Sequence, residues 1–573
     1  MIAAAACVGL ALMADGVGRN SATYDEVEYL KIAARWLRTG DQEEITRMGS
    51  PLTFWKWQQA PVLWLLDRWD RSAWVDDPER YQVELLPWVR LWSLHVWLIA
   101  WGTTVLWAKQ MHGPRAAVLA AWLFTLSPNL LAHGGLITME TPITACAVLA
   151  SFAFWRFLRD PQPRFGFGRW FWISAAASGL AFSCKFTAIL FPILFGAAWW
   201  LIEVRELAIA QRAAKADDPN PTRGLIPLPL RILTSRTIRI AAIMTAYVAA
   251  MLAADWLITG GAMLTPSKTA GAHLVSQRLP ESLRGWFATI AETPMPQDWV
   301  GFAIQSNHQR SGGPSYLFGE RRMTGWRHYY LVALAVKVPL GFWLLAATRA
   351  VIRPTRPGRG DALPILTAGL FLLAASAGST RNYGVRYLLP MAPLAIVWVS
   401  SLAESAASIQ RRGLRAIIGL SLLSQSLAVA SIHPYELSYF NILAQGPIGG
   451  RRILADSNLD WGQGAKGLAA MQRQRPEFRD LTLYYFGDTD PRRYGVVGEV
   501  HAINAHGPLA DTPKLPDRLQ ARSRFLAVSA SLQWGPWGPN GYFDALRGAE
   551  PMAYSPDFTI AVYDAAKLLE LAP

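Results

Sequence analysis

Cysteine is nearly missing from this chain: 573 residues hold only Cys7, Cys146 and Cys184, each inside an apolar stretch. That excludes a disulfide framework and a thiolate metal cluster. Charge is scarce as well, at 17% of residues, where soluble domains carry about 25%. The sequence has no Asn-x-Ser/Thr acceptor site, no basic region ahead of its first apolar run, and no retrieval signal at its C-terminus. These absences fit a bacterial plasma membrane better than a eukaryotic secretory one. The first apolar run, Ile2 to Ala14, is short for a span and points to a start further upstream. A formal charge of +14 invites nucleic acid, but the basic residues form no single patch with interleaved aromatics. No nucleic acid partner is expected.

What the chain does have is hydrophobic length. Residues of hydrophobic type make up 52%, aromatics 12%, and many of the 26 tryptophans stand beside the ends of apolar segments. That is the pattern of interfacial aromatic belts on a polytopic membrane protein. The apolar runs predict about eleven spans, at 1–15, 91–108, 115–132, 142–158, 171–184, 186–204, 238–258, 329–352, 362–378, 386–403 and 415–432. Counted from a cytoplasmic N-terminus, the loops 109–115, 159–169, 205–236, 353–361 and 404–415 fall inside, and all are basic. The positive-inside rule therefore supports this orientation. Residues 16–90, 259–328 and everything after 432 then lie outside.

Ionisable residues collect on that outer side. The first outer loop contains S-A-T-Y-D-E-V-E-Y-L-K-I-A-A-R-W-L-R-T-G, residues 21–40, which reads as an amphipathic helix lying in the interface. Val27, Leu30, Ala34 and Leu37 share its apolar face, with Glu28, Lys31, Arg35 and Arg38 on the neighbouring one. Asp25 and Glu26 open it. Thr23 and Glu26 fit a capping box, and Asp25 suits the helix dipole, so the pair has a structural reading as well as a chemical one. Glu140 follows His133 in L-A-H-G-G-L-I-T-M-E-T-P, and Lys185 divides the fifth and sixth spans. Arg381, Tyr383 and Arg386 occupy the outer turn S-T-R-N-Y-G-V-R-Y, and His308 lies in the loop 259–328. Charges beside a bilayer are functional candidates because burying them is costly, although Lys185 and Arg386 could also snorkel to headgroups.

Beyond His433 the composition shifts. R-I-L-A-D-S-N-L-D-W-G-Q reads as strand and turn, G-A-K-G-L-A-A-M-Q-R-Q as helix, and L-T-L-Y-Y-F, F-L-A-V-S-A-S-L and F-T-I-A-V-Y-D as strands. The expected organisation is a membrane domain at 1–432 and a small outer α/β domain at 433–573. Asp456, Asn458, Asp460 and Gln463 cluster after the first of these strands, where a saccharide or ion site and a capped turn are equally good readings.

An acid pair at the head of an interfacial helix resembles the Asp-Glu motif of the protein O-mannosyltransferases and the aminoarabinose transferases. These are GT-C glycosyltransferases of family 39 and its neighbours. The stretches S-P-N-L-L-A-H-G-G-L-I-T-M-E-T-P and G-L-A-F-S-C-K-F-T-A are similar to further motifs of that group. H-P-Y-E-L-S-Y-F-N with D-S-N-L-D-W-G-Q resembles a bacterial subgroup with an outer C-terminal domain. The resemblance implies a GT-C fold and transfer from a polyprenyl-phosphate-linked sugar on the outer face of the plasma membrane. Protein, lipid or glycan could be the acceptor. Two positions depart from the pattern: Glu140 stands where Asp is usual, and Gly135 where Arg is frequent.

The chemistry asks for few groups. Phosphate leaves readily if cations stabilise it, while an acceptor hydroxyl gains from a carboxylate base. Asp25 is the expected base, with Glu26 and Glu140 as its catalytic partners. Lys185, Arg386 and Arg381 are the expected phosphate contacts, and His133, Tyr383 and His308 candidate substrate contacts. One alternative uses a pyrophosphate-linked donor and a divalent cation on Asp25, Glu26 and Glu140. The other is a lipid or sugar transporter, disfavoured because the span centres carry few charges.

Overall fold

The computed structural model describes residues 1–40, 58–160, 167–216, 230–268, 285, 288–289, 291–352, 360–378, 380–407, 411–503, 523–537 and 542–571. Arg164, Arg223, Arg353, Arg356 and Arg359, part of the inner basic set, lie outside the described residues.

The eleven apolar runs all form helix, but they do not make eleven spans. Six helices are long and apolar enough to cross a membrane: Gln82–His112, Glu140–Arg159, Phe186–Arg212, Ile232–Ile258, Val385–Ser405 and Arg412–Ala430. Two further runs are bent pairs, Pro114–Thr125 with Pro128–Gly134 at 66° and Tyr329–Lys337 with Leu340–Val351 at 111°. The count among the described residues is thus six, or eight with the bent pairs. Proline causes both breaks. Ser127 and Val338 are extended, as residues ahead of Pro128 and Pro339 are driven to be. The remaining three runs, Ile2–Val17, Arg169–Cys184 and Leu363–Gly378, are helices of 16 residues. At 1.5 Å per residue that is about 24 Å, short of a ~30 Å hydrocarbon core.

The interfacial helix runs Tyr24–Thr39 and stops at Gly40, whose φ of 71° is the left-handed cap a glycine supplies without strain. Val27, Leu30 and Ala34 are buried as their spacing predicts, against Val62, Leu63, Leu66, Leu85 and Val89. On the polar face Lys31 pairs with Glu28, and Arg38 with Asp67 and Asp76.

The C-terminal sheet has five strands in the spatial order 499–503, 481–486, 525–529, 560–564, 553–554. Strand 481–486 is parallel to both of its neighbours, and the last two strands join antiparallel. Helix Ala465–Gln474 covers one face through Leu468 and Met471. The stretch beginning Arg451 is not a strand. It forms turns and a short 3-10 helix at Asp456–Asn458, because its backbone serves other segments: Phe318 donates to Ile453 O and Lys337 to Asn458 O.

This C-terminal part is sewn to the loop that precedes the interfacial helix. Ser21 N donates to Gln463 O at 3.1 Å and Tyr24 N to Trp461 O at 2.8 Å. Ala465 N donates to Ser21 Oγ and Ala22 N to the Tyr494 hydroxyl, each at 3.0 Å. The helix carrying Asp25 is therefore positioned from both sides.

Candidate active site

The two adjacent acids part company. Thr23 and Glu26 do form the capping box, and Glu26 carries it much further. Its carboxylate accepts from Thr23 N at 2.8 Å, Thr23 Oγ1 at 3.0 Å and Ile137 N at 3.0 Å. Arg90, near the N-terminal end of the long helix Gln82–His112, adds Nε at 2.9 Å and Nη2 at 2.6 Å. The remaining Arg90 donors go to Val17 O, Asn20 O and Ser21 O. Arg90 is 1% exposed and Glu26 is fully buried. Here the expected catalytic role for Glu26 is corrected: a buried carboxylate with five donors has no capacity left for substrate.

Asp25 turns the other way, into a cleft. Its Oδ2 lies 3.3 Å from Arg386 Nη1, and the same nitrogen lies 3.8 Å from Glu140 Oε1. Lys185 Nζ approaches Glu140 Oε1 at 3.3 Å. Two acids and two cations thus alternate, as the sequence reading expected for Asp25, Glu140, Lys185 and Arg386. Each is placed by a helix end. Glu140 is the first residue of its span, and Lys185 is the single extended residue between Cys184 and Phe186. Arg386 follows Gly384, whose φ of 140° and close approach to Ser457 leave no room for a Cβ, which would sit 2.5 Å from Ser457 Oγ.

Aromatic rings floor the cleft. Arg386 lies 3.9 Å from the Trp461 ring centre, and Lys185 Nζ 4.0 Å from that of Tyr387. Such contacts stabilise cations without neutralising them. Arg386 Nε is buried with no hydrogen-bond partner among the described residues. Burial pushes Asp25 above the usual aspartate range, Arg386 opposes that, and Glu140 adds to it. A raised carboxylate is a better proton acceptor.

His133 is buried below the cleft, its ring 6.2 Å from that of Trp461 and its Nδ1 unpartnered among the described residues. Arg381 is not brought to the acids: its Nε donates to Gly312 O at 2.8 Å. His308 lies on the Arg381 side, where burial and then Arg381 lower its pKa. Tyr383 stands between the two groups, with Arg381, Asp456 and Arg386 all acting on its hydroxyl. Sequence reasoning missed Tyr29, Arg90, Tyr387 and Trp461. Tyr29, whose buried hydroxyl feels the charges of Asp25 and Glu140, was within reach, since it lies one turn beyond Asp25 on the same helix face.

The polar cluster is mostly a locked turn. Asp460 accepts from Gly462 N and Ser531 N, Gln463 from Trp461 N, and Asn458 from Val385 N. Asp456 is the member that faces the cleft. Glu26 is turned away from Asp25 and Glu140 and saturated by Thr23, Arg90 and Ile137, so those three acids do not come together around one cation. Among the described residues no group of three His, Cys, Asp or Glu is arranged to hold a metal. An apolar cavity of about 230 Å³ is walled by Leu334, Val338, Phe342, Trp343, Val385 and Leu389, the last two being close neighbours of Arg386 in sequence. It sits at the 111° bend, where Val338 and Pro339 interrupt the helix.

Comparison with known proteins bears on this arrangement. Residues 10–253 match the family model of the dolichyl-phosphate-mannose-protein mannosyltransferases. No curated protein matches the chain. Among solved structures, ArnT from Cupriavidus metallidurans bound to undecaprenyl phosphate is 14% identical, with a TM-score of 0.43, covering 100% of this chain and 99% of that one. Its apo form gives 13% identity, a TM-score of 0.44, and coverage of 100% and 98%. The Archaeoglobus fulgidus oligosaccharyltransferase, in complex with Zn and sulfate, gives 12%, 0.39, and coverage of 98% and 73%. The matched part, residues 10–253, holds Asp25, Glu140 and Lys185, and over it this multi-pass membrane protein is similar to the mannosyltransferases of that family.

Proposed function

We propose that the protein transfers a sugar from a polyprenyl-phosphate donor to an acceptor hydroxyl on the outer face of the plasma membrane, inverting the anomeric centre. One observation carries the reading: Arg386 stands between Asp25 and Glu140, and Lys185 meets the same Glu140 oxygen that Arg386 approaches. In the reaction the acceptor oxygen attacks C1 of the sugar and its proton passes to Asp25. The C1–O bond to phosphate breaks, and the electron pair leaves with the phosphate toward Arg386 and Lys185. The sugar carries partial positive charge in between, which the acids stabilise. Attack opposite the leaving group converts a β-linked donor into an α-linked product. Glu140 holds the two cations in place and sets the space between them.

The apolar cavity supports the lipid part of this reading, since its wall residues Val385 and Leu389 flank Arg386 in sequence. A phosphate at the guanidinium would have its prenyl chain beside apolar side chains, where the chain costs nothing to dehydrate. The family match points the same way, as its description names a dolichyl-phosphate-linked sugar. The polarity of the loops supports the outer placement. The test is to incubate the purified full-length protein in lipid nanodiscs with a panel of labelled polyprenyl-phosphate sugars, with and without chelator. Chelator-insensitive release of polyprenyl phosphate is expected from at least one donor. Turnover only of pyrophosphate-linked donors, abolished by chelator, would overturn the assignment.

A further inference from the structure

The outer rim of the cleft is built from the C-terminal part of the chain, and its composition differs from the ionic floor. Asp456 sits there at φ 57°, a left-handed conformation that a non-glycine residue adopts only when its surroundings hold it. They do hold it. Ser457 Oγ donates to Tyr383 O, Asn458 Oδ1 accepts from Val385 N at 2.9 Å, and Asn458 Nδ2 donates to the Tyr329 hydroxyl at 2.9 Å. This fixes the Asp456 turn rigidly against the turn that bears Arg386. The carboxyl is 6% exposed, takes the Ser457 amide on Oδ1 at 2.6 Å, and feels the charges of both Arg386 and Asp25.

Trp537 stands beside that carboxyl. Its indole N–H is directed at that carboxyl, where it favours the charged form, and has no other partner among the described residues. The Trp537 ring is 5.7 Å from Tyr383 and runs nearly parallel to Phe486 at 6.1 Å, which is in turn nearly parallel to Tyr24 at 5.6 Å. An aromatic row therefore leads from the residue before Asp25, across the C-terminal sheet, to the turn of Arg386. Tyr24, Tyr383 and Trp537 each keep part of their surface exposed.

An acid with an indole N–H beside it and half-exposed rings are the groups that recognise a pyranose. The C–H face of a sugar packs on an aromatic surface, while its hydroxyls bond to planar polar groups in the ring plane. Resting on the transferase reading above, we propose that Asp456, Tyr383 and Trp537 form the acceptor subsite, and that the acceptor presents a sugar ring, with one hydroxyl directed at Asp25. Burial raises Asp456 to about 6, against the pull of Arg386. Near neutral pH its carboxyl can accordingly accept from one hydroxyl and, in its protonated fraction, donate to another. A glycan is favoured over a Ser/Thr peptide because the subsite offers ring surface and one carboxyl.

The experiment uses the full-length protein in nanodiscs with a donor that it turns over. Methyl glycosides of several hexoses and N-acetylhexosamines are offered as acceptor probes, with Ser- and Thr-containing tripeptides alongside. At least one methyl glycoside should accelerate release of polyprenyl phosphate in a saturable way and appear in the product. Asp456→Asn and Trp537→Phe should each raise the acceptor KM by about tenfold, the scale of one lost hydrogen bond to a charged or buried group. Donor KM and thermal stability should stay near wild type. Trp537→Phe keeps an aromatic ring while removing the N–H, and a folding defect in one variant leaves the other informative. Acceptor KM values within about twofold of wild type, too small for such a bond, would overturn the proposal while leaving the transferase reading intact. Acceleration by peptides and by no glycoside would do the same. Absence of donor turnover with every donor would overturn both.

Discussion

Asp25 and Glu26 are neighbours in sequence, each faces an arginine, and the two ion pairs have opposite characters. Glu26 and Arg90 are sealed from solvent, with every guanidinium N–H used and contacts down to 2.6 Å. Asp25 and Arg386 are 27% and 10% exposed, meet at 3.3 Å, and leave Arg386 Nε unpartnered among the described residues. The first pair is closed and can only hold the chain together. The second has spare valence on both partners, which is what a site needs if phosphate and a hydroxyl are to enter it. The helix start separates the two roles because consecutive residues diverge by about 100° around the axis. One acid faces the Arg90 helix and the other faces the cleft.

The strongest way to break this comparison is Asp25→Asn. The amide keeps the size and the hydrogen-bonding capacity near the helix start, but it cannot take a proton. Transfer should fall by roughly 10²–10⁴, the range of general-base catalysis, with thermal stability close to wild type. Because burial raises the Asp25 pKa, the acid limb of the rate should also lie above the ordinary aspartate value of 3.8. The base must be ionised to work, so the rate rises as pH climbs through that raised value. A folded variant retaining more than about a tenth of the rate, short of even the weakest general-base effect, would remove Asp25 from the mechanism and put Glu140 in its place.

Next in size is the structural pair. Arg90→Met strands the Glu26 carboxylate in the core, and losing one partner of a buried pair costs about 3–5 kcal/mol. The prediction separates from a simple packing loss through the double variant. Glu26→Leu with Arg90→Met should recover much of that stability, since an apolar pair needs no compensation. Denaturation of the three proteins in one detergent measures it. A double variant as unstable as Arg90→Met would mean that the backbone contacts of Arg90, and not its charge, hold the loop.

How far could these roles be seen in the sequence? Asp25, Glu140, Lys185 and Arg386 stood out because charges beside apolar runs are rare, and the structure brings all four together. The apolar face of the interfacial helix was legible from its period. The strands 481–486, 525–529 and 560–564 were legible too, whereas 499–503 and 553–554 were not, because A-Y is two residues long and E-V-H-A-I has no run of large apolar or aromatic residues. What decided between the adjacent acids was Arg90, 64 residues away, and no local pattern marks it. Arg381 was misassigned for the converse reason. It lies five residues from Arg386, but its turn sends Nε to Gly312. The excess of spans over those found was avoidable at Pro339, a visible breaker inside an apolar run beside Lys337.

A smaller effect sharpens the open side of the comparison. Lys185→Ala removes one cation from Glu140 and leaves it only the longer contact with Arg386, at 3.8 Å. A lost charge-assisted contact to phosphate costs about 1.5–3 kcal/mol, so donor kcat/KM should fall roughly ten- to a hundredfold. The acceptor KM should not change. Kinetics with the donor varied at saturating acceptor give the answer, and an unchanged donor kcat/KM would make Lys185 a residue that only snorkels.

The smallest expected effect belongs to an ion pair of a third kind, one whose charge is conditional. His433 joins the N-terminal helix to the C-terminal segment, with Nδ1 2.5 Å from Glu436 Oε1 and Nε2 3.2 Å from Asp15 Oδ2. Arg19 competes for the same aspartate at 2.9 Å. The hydrogen bond to Glu436 raises the His433 pKa above 6.5, partly offset by burial, and Asp15 adds a little. The sign follows. The folded state holds this proton more tightly than the unfolded chain, so the stabilisation is complete below pH 6.5 and is lost as pH rises through the raised value. Asp15 is 42% exposed and His433 22%, and solvent screening therefore keeps the contribution below about 1 kcal/mol. The closed Glu26–Arg90 pair should not share this dependence, because arginine stays charged throughout the range. Wild type and His433→Gln should be melted at pH 5.5 and at pH 8. The stability lost by wild type between the two should exceed that lost by the variant, and an identical loss in both would show that His433 only fills space at this joint.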